Sequence, residues 1–220
     1  MRIRFVVLLL GSFVVFGTDV HAQTCRGSVA IEHTARGIVD FGTAFSSDTN
    51  AYGVNVGGGS TSWFAAGGLQ GLRYPDLPAR TWALTGIGGA QFAADPGGYI
   101  EICPIGMVSW ERTNNLFAQE DVTGYTLTTT GGVSAGITAF QSSLVALVPT
   151  AGLFISSADA HVSAPENSGS ERETFWRLQA GVGVLIGNRF SVTPMLIIPL
   201  DQEGGEKAFA ISYSFSFGRR

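Results

Sequence analysis

Charge is what this sequence has least of. Asp, Glu, Lys and Arg make up 14% of its 220 residues, well under the usual quarter, and the formal net charge is −4. No cluster of Lys and Arg exists, which excludes a nucleic-acid-binding surface. Long hydrophobic runs are missing beyond the N-terminus, so no segment there is a candidate for a spanning helix. A helical period is absent from the remainder as well. Histidine occurs three times, as His21, His33 and His161, without the spacing of a zinc site. The runs Gly57-Gly58-Gly59, Gly88-Gly89 and Gly131-Gly132 lack the strand-to-helix setting of a phosphate loop. No metal or cofactor is called for.

What the chain has is glycine, 30 residues, and aromatic side chains, 11%. At the N-terminus Arg2 and Arg4 precede an apolar stretch from Phe5 to Gly17, and Val20-His21-Ala22 is a small-residue cleavage site. Residues 1–22 therefore read as a secretory signal peptide. Its removal takes Arg2, Arg4 and Asp19 with it and leaves a net charge of −5. Gln23-Thr24 before Cys25 is not a lipobox, so a lipid anchor on that cysteine is disfavoured. Residues 23–36 form a polar lead-in, read as a periplasmic, strand-like or lumenal segment. Export brings Cys25 and Cys103 into an oxidising compartment, which permits a disulfide tying the lead-in across or under whatever follows.

The last stretch, Lys207 to Phe217, sets the pattern for the rest. Phe209, Ile211, Tyr213, Phe215 and Phe217 alternate with Ala208, Ala210, Ser212, Ser214 and Ser216. In an extended strand one face is then large and apolar, the other small and mostly hydroxyl. Apolar outside and small or polar inside is the arrangement of a closed membrane barrel. Ten strands are expected, near 37–46, 51–58, 61–73, 80–92, 98–111, 122–139, 143–157, 173–186, 189–200 and 206–217. The short second strand makes eight the alternative. Short connections after even-numbered strands alternate with long polar ones at Arg112 to Asp121 and Ala158 to Arg172, as periplasmic turns alternate with extracellular loops. Pro104, Pro149, Pro194 and Pro199 fall inside these strands and are expected at bulges or strand ends.

Aromatic residues concentrate at strand ends. Tyr52, Trp82, Trp110, Tyr125, Trp176 and Phe209 sit at the expected extracellular ends, and Phe92, Phe190, Phe215 and Phe217 at the others, with aliphatic residues between them. Two rings separated by an aliphatic belt is a membrane girdle. The opposite faces carry Ser, Thr and Gly with a few charges. Glu101 and Arg177 point into the lumen, where they and Asp40 are candidates to pair. At this strand number the interior is expected to be filled and to conduct little.

Signal peptide, girdled strands and C-terminal aromatic strand together resemble the small outer-membrane β-barrel proteins of Gram-negative bacteria. The resemblance implies an all-β, antiparallel, up-and-down transmembrane barrel over 37–220, placed in the outer membrane. It implies outer-membrane lipid and the barrel-assembly machinery as partners. Members usually finish on the Phe that this machinery recognises, whereas Gly218-Arg219-Arg220 follow Phe217 here. The function expected is non-enzymatic: a structural or surface-recognition role through the extracellular loops, or a narrow pore. The loops hold Glu120, Asp121, Asp159, Glu166 and Glu171 against Arg112 and Arg172, a balance suited to cationic partners or bound divalent ions, although the sequence names no ligand. The alternative is an outer-membrane hydrolase acting on lipid or peptide around His161, Ser163 and Glu166 at the extracellular rim.

Overall fold

The strand Ala208–Phe217 turns its large apolar face outward and its small, mostly hydroxyl face inward. It satisfies its backbone by pairing on both edges, which in lipid requires closure of the sheet on itself. The computed structural model describes Cys25 and residues 37–47, 49–60, 62–74, 80–114, 123–142, 144–164, 167–187, 189–201 and 207–217. The expected signal peptide, the rest of the lead-in and residues 115–122 lie outside the described residues. The β segments in chain order are β1 Gly37–Phe45, β2 Asn50–Gly59, β3 Trp63–Arg73, β4 Arg80–Ala90, β5 Phe92–Ala93, β6 Ile100–Asn114, β7 Thr123–Ile137, β8 Phe140–Gln141, β9 Val145–Ala164, β10 Asn167–Ile186, β11 Phe190–Pro199 and β12 Ala208–Phe217.

Ten of these form a ring of antiparallel neighbours, β1-β2-β3-β4-β6-β7-β9-β10-β11-β12, and β12 closes back onto β1 from Gly37↔Phe217 to Phe45↔Phe209. The two-residue segments β5 and β8 add short pairings to β6 and β9 near the turns. The count is ten rather than eight because β2 holds ten residues and pairs with β3 along its full length. Following one row of partners round the wall gives the stagger. Val145 leads to Ile186, Phe190, Phe215, Val39, Val56, Gly67, Gly86, Val108 and Thr129, and the row returns to β9 at Ser157, twelve residues along. Twelve rises of ~3.3 Å against ten strand spacings of ~4.8 Å tilt the strands by ~40° from the axis, within the usual range for barrels.

The prolines fall where a ladder stops. The β4 ladder on β6 ends at Gly89↔Ile105 and resumes in β5 at Phe92↔Ile102, leaving the gap opposite Pro104. The β7–β9 ladder ends at Gly136↔Thr150, just short of Pro149. Between β10 and β11 the pairing skips from Gly181↔Met195 to Val184↔Val192, across Pro194. Pro199 ends β11. Each missing N–H coincides with a gap or an end, and register is unchanged across both gaps.

The largest departure from expectation is between β9 and β10. Ala158 to Arg172, read as a loop, is mostly paired strand: the ladder runs without a slip from Ile186↔Val145 to Asn167↔Ala164. Arg112, read as the start of another loop, likewise lies in β6 opposite Tyr125. At the other end connections are tight. Gly187, at φ +58°, makes the β10–β11 turn in a left-handed conformation that a side chain would oppose, and its N–H bonds Leu144 O at 2.7 Å. By the usual arrangement short turns face the periplasm and the projecting hairpin faces outward.

Candidate functional site: lumen, girdles and projecting hairpin

The interior has two zones. Its periplasmic half is the more closely packed: Cys25, Ile38, Phe64, Cys103, Ile105 and Phe154 form one buried cluster, with Ile87 and Met107 against it. Cys25 and Cys103 are joined by a disulfide, their Cα atoms 5.9 Å apart, and both side chains are essentially inaccessible. Cys25 therefore lies inside the lumen. Its carbonyl accepts a 2.6 Å hydrogen bond from Ser134 Oγ on β7, so an otherwise stranded buried acceptor is satisfied. Glu101, lower on the same wall, accepts a 2.7 Å bond from Gln91 Nε2.

The extracellular half is open. A cavity of about 510 Å³ is lined by Asn55, Thr85, Met107, Thr130, Arg177 and Met195 among others. A second, of about 270 Å³, shares Asn55, Met107 and Met195 with it and continues down past Asp40 and Gln179 to Cys25. The sequence leads one to expect a filled interior; the structure has a cup above a narrowed floor. The cause is side-chain size, since the inward positions above Phe154 are largely Ser, Thr, Ala and Gly. The wall built from β6, β7, β9 and β10 has ordered inward rows. Ile105, Gly132, Phe154 and Arg177 share one; Met107, Thr130, Ser156 and Phe175 the next above; then Ser109, Thr128, Ala158 and Glu173; then Glu111, Thr126, Ala160 and Glu171 at the rim. Gly132 is required where it stands: a Cβ there would lie 2.8 Å from Phe154 Cα. Thr130 and Ser156 share a hydrogen bond of 2.8 Å, and Thr85 donates to Asn55 Oδ1 at 2.9 Å.

Arg177 stands at the boundary of the zones. Its Cζ lies 5.9 Å from the Phe154 ring centroid, and Nη2 donates to Thr130 Oγ1 at 3.4 Å. Its Nε is buried without a partner, and no carboxylate among the described residues pairs with this cation. Arg177 and Glu101 thus both face the lumen but are held by different groups. At the rim, Tyr74 just beyond β3 donates to Glu111 Oε1 at 3.1 Å; burial, and then the neighbouring carboxylate, push its phenol well above the usual range.

Tyr52, Trp82, Tyr125, Trp176 and Phe209 are exposed near one end, and Trp110 meets Trp82 edge-on at 5.2 Å. Phe92, Phe215 and Phe217 are exposed near the other, where Phe190 packs on Phe215 at 4.7 Å. Sequence reasoning missed Phe41, Phe45, Trp63 and Tyr99, which are also exposed; the alternation of Phe41 and Phe45 with Gly42 and Ala44 was the available signal. In the periplasmic turn before β6, Asp95 accepts hydrogen bonds from Ile100 N at 2.7 Å and Gly97 N at 3.1 Å, and the Ile100 bond above all holds its carboxyl below the usual range.

The outward face of β9–β10 changes character at Trp176. Level with it is Ile155 and below lie Leu153, Leu178 and Val182; beyond it come Ser157, Asp159, His161 and Ser163 on β9 with Ser168, Ser170, Arg172 and Thr174 on β10. Nine residues separate Trp176 from Asn167, so the hairpin carries ~30 Å of strand past the girdle. Asp201 receives Trp176 N–H at 2.8 Å where β11 ends and β10 continues. His161 stacks on Tyr125 at 4.6 Å with Ser170 and Arg112 as flanking partners in its row, and a surface cleft of about 470 Å³ opens beside it. The expected hydrolase partner Glu166 lies outside the described residues, and the described ring contact of His161 is with Tyr125.

No protein-family profile matches the chain, and no curated protein matches it by sequence. Solved structures do. The β domain of the Bordetella autotransporter BrkA is 13% identical with TM-score 0.50, covering 83% of this chain and 99% of that one. The N-terminal β-barrel domain of Pseudomonas aeruginosa OprF is 13% identical with TM-score 0.41, covering 84% and 100%. Ail of Yersinia pestis is 13% identical with TM-score 0.39, covering 83% and 99%. Closure of ten tilted strands, a lipid-compatible outer belt and the likeness to the BrkA β domain together give one conclusion: the chain has the fold of the small outer-membrane β-barrels.

Proposed function

We propose that this barrel is a non-enzymatic surface-recognition protein whose contact element is the β9–β10 hairpin, and that its lumen is blind rather than a passage. The observation that carries the reading is the hairpin itself: twenty-residue strands stay in register far beyond the girdle, and their outward face turns wholly polar there. A rigid paired element presents side chains at fixed spacing, which an irregular loop does not. Asp159, Glu171 and Glu173 against Arg172 give the described part of the hairpin an acidic balance, suited to a cationic partner. Below, Arg112, Tyr125 and His161 stand at the membrane surface, where aromatic and basic groups suit lipid headgroups.

The test replaces residues 158–173 by a two-residue turn. Folding and heat-modifiable gel mobility are expected to survive. Retention of the liposome-inserted barrel on a polylysine-coated surface, salt-sensitive in the parent, is expected to be lost. Unchanged retention would remove the hairpin from the reading, and loss of a lipid- or peptide-hydrolase activity would replace it with the enzymatic one.

A further inference from the structure

The lumenal cup contains a cation with which no carboxylate among the described residues pairs. Arg177 lies between the packed floor and the open cavity; its described partners are a long bond to Thr130 and the face of Phe154, and its Nε is buried and unbonded. An ionised side chain inside a membrane-spanning wall is costly unless its charge is met, and such residues mark binding sites more often than architecture. A guanidinium with donors to spare is shaped for a carboxylate.

We propose that the cup is a binding site for a small zwitterion of the amino-acid or short-peptide class, with its carboxylate on Arg177. Three features select that class. The cavity, about 510 Å³, has the size of a small-ligand pocket and none of the reach a polymer needs. Its wall offers hydroxyl groups at Thr130, Thr128, Ser109 and Thr85, with Met107, Met195 and Phe175 as apolar surface between them. Above lie inward carboxylates, Glu173 two rows from Arg177 and Glu111 three, which repel a polyanion and attract an ammonium. Negative above and positive below is the complement of a molecule carrying both charges. The site shares Glu173 with the hairpin, and its cation and hydroxyl groups lie below that element.

The experiment is titration calorimetry on the refolded, disulfide-intact barrel in detergent, with glycylglycine, sodium acetate, ethylenediamine and sodium sulfate as separate probes. Saturable binding of glycylglycine is expected, weakened about tenfold or more by Arg177→Met and less by Arg177→Lys. Acetate is expected to bind more weakly than the dipeptide, and ethylenediamine and sulfate not to saturate. Thr130→Val, which leaves the cation in place, guards against a folding defect and is expected to weaken binding without changing gel mobility. Absence of saturable glycylglycine binding to the folded parent overturns the proposal. So does equal affinity of the parent and a folded Arg177→Met, or tighter binding of sulfate, which would make Arg177 a general anion site.

Discussion

The two halves of the lumen are built from the same strands and could hardly differ more. Toward the periplasm Ile38, Phe64, Ile105 and Phe154 fill the bore around a disulfide that fastens the lead-in inside it. Toward the outside the same wall carries Thr130, Thr128 and Ser109 and leaves a cavity of about 510 Å³. Strand number, stagger and tilt are common to both. What differs is side-chain volume at every second position, and one extra residue brought in from outside the wall. In a barrel of this gauge a handful of large side chains decides between a floor and a cup.

Removing the cross-link is the strongest way to break that contrast. Cys25→Ser releases a closure spanning 78 residues, which the chain-entropy account puts at about 4 kcal/mol. The folded band should convert at lower temperature on a gel, and planar-bilayer conductance should rise as the floor loosens; unchanged conductance would mean the wall residues close the bore alone. Phe154→Ala comes next, at about 3 kcal/mol, because this ring is almost fully buried where the halves meet. Denaturant unfolding measures it, and an effect confined to the surface range would place the floor elsewhere.

Ser134→Ala sharpens the comparison more gently. It strands the Cys25 carbonyl and should cost about 1–2 kcal/mol in the same measurement, with the disulfide intact. Asp95→Asn tests the periplasmic turn beneath the floor. Because the folded carboxyl is held below its ordinary range, its contribution is present at neutral pH and disappears as pH falls through the folded value. The variant should therefore differ from the parent at neutral pH and match it in strong acid. Arg172→Ala, finally, removes an exposed 3.5 Å ion pair with Asp159 beyond the membrane and should change stability by ~0.5 kcal/mol or less.

The wall was legible in the sequence because period-2 alternation is a local property. The Phe and Ser positions of β12 settle which face meets lipid, and Ser214 and Ser216 are indeed buried while Phe215 and Phe217 are exposed. The extent of the hairpin was obscured by residue type: Ser, Ala, Asp and Gly have low strand propensity, so 158–172 read as loop. Yet Ala158, Ala160 and Val162 alternate with Asp159, His161 and Ser163, the same period continued with polar groups outside, as a strand leaving the bilayer requires. The cup was not legible, because whether inward side chains meet across a bore depends on diameter and on partners several strands away. Nor was the solitary state of Arg177, for charge composition alone suggests a pairing with Glu101 that the register does not provide.

The inaccessible disulfide also carries information about order in time. Both sulfurs are shut inside a finished wall, Cys25 at 1% exposure and Cys103 at none, where no oxidising enzyme reaches them. The bond is thus expected to form while the chain is still open in the periplasm, before Gly37 meets Phe217 and the ring shuts. The substrate presented for insertion would then be a lariat rather than a thread, its leading segment already bound to what becomes the sixth β segment. Trapping free thiols during assembly checks this. Intermediates that have not yet closed should already resist alkylation at both cysteines, and a closed barrel that still takes up label would reverse the sequence of events.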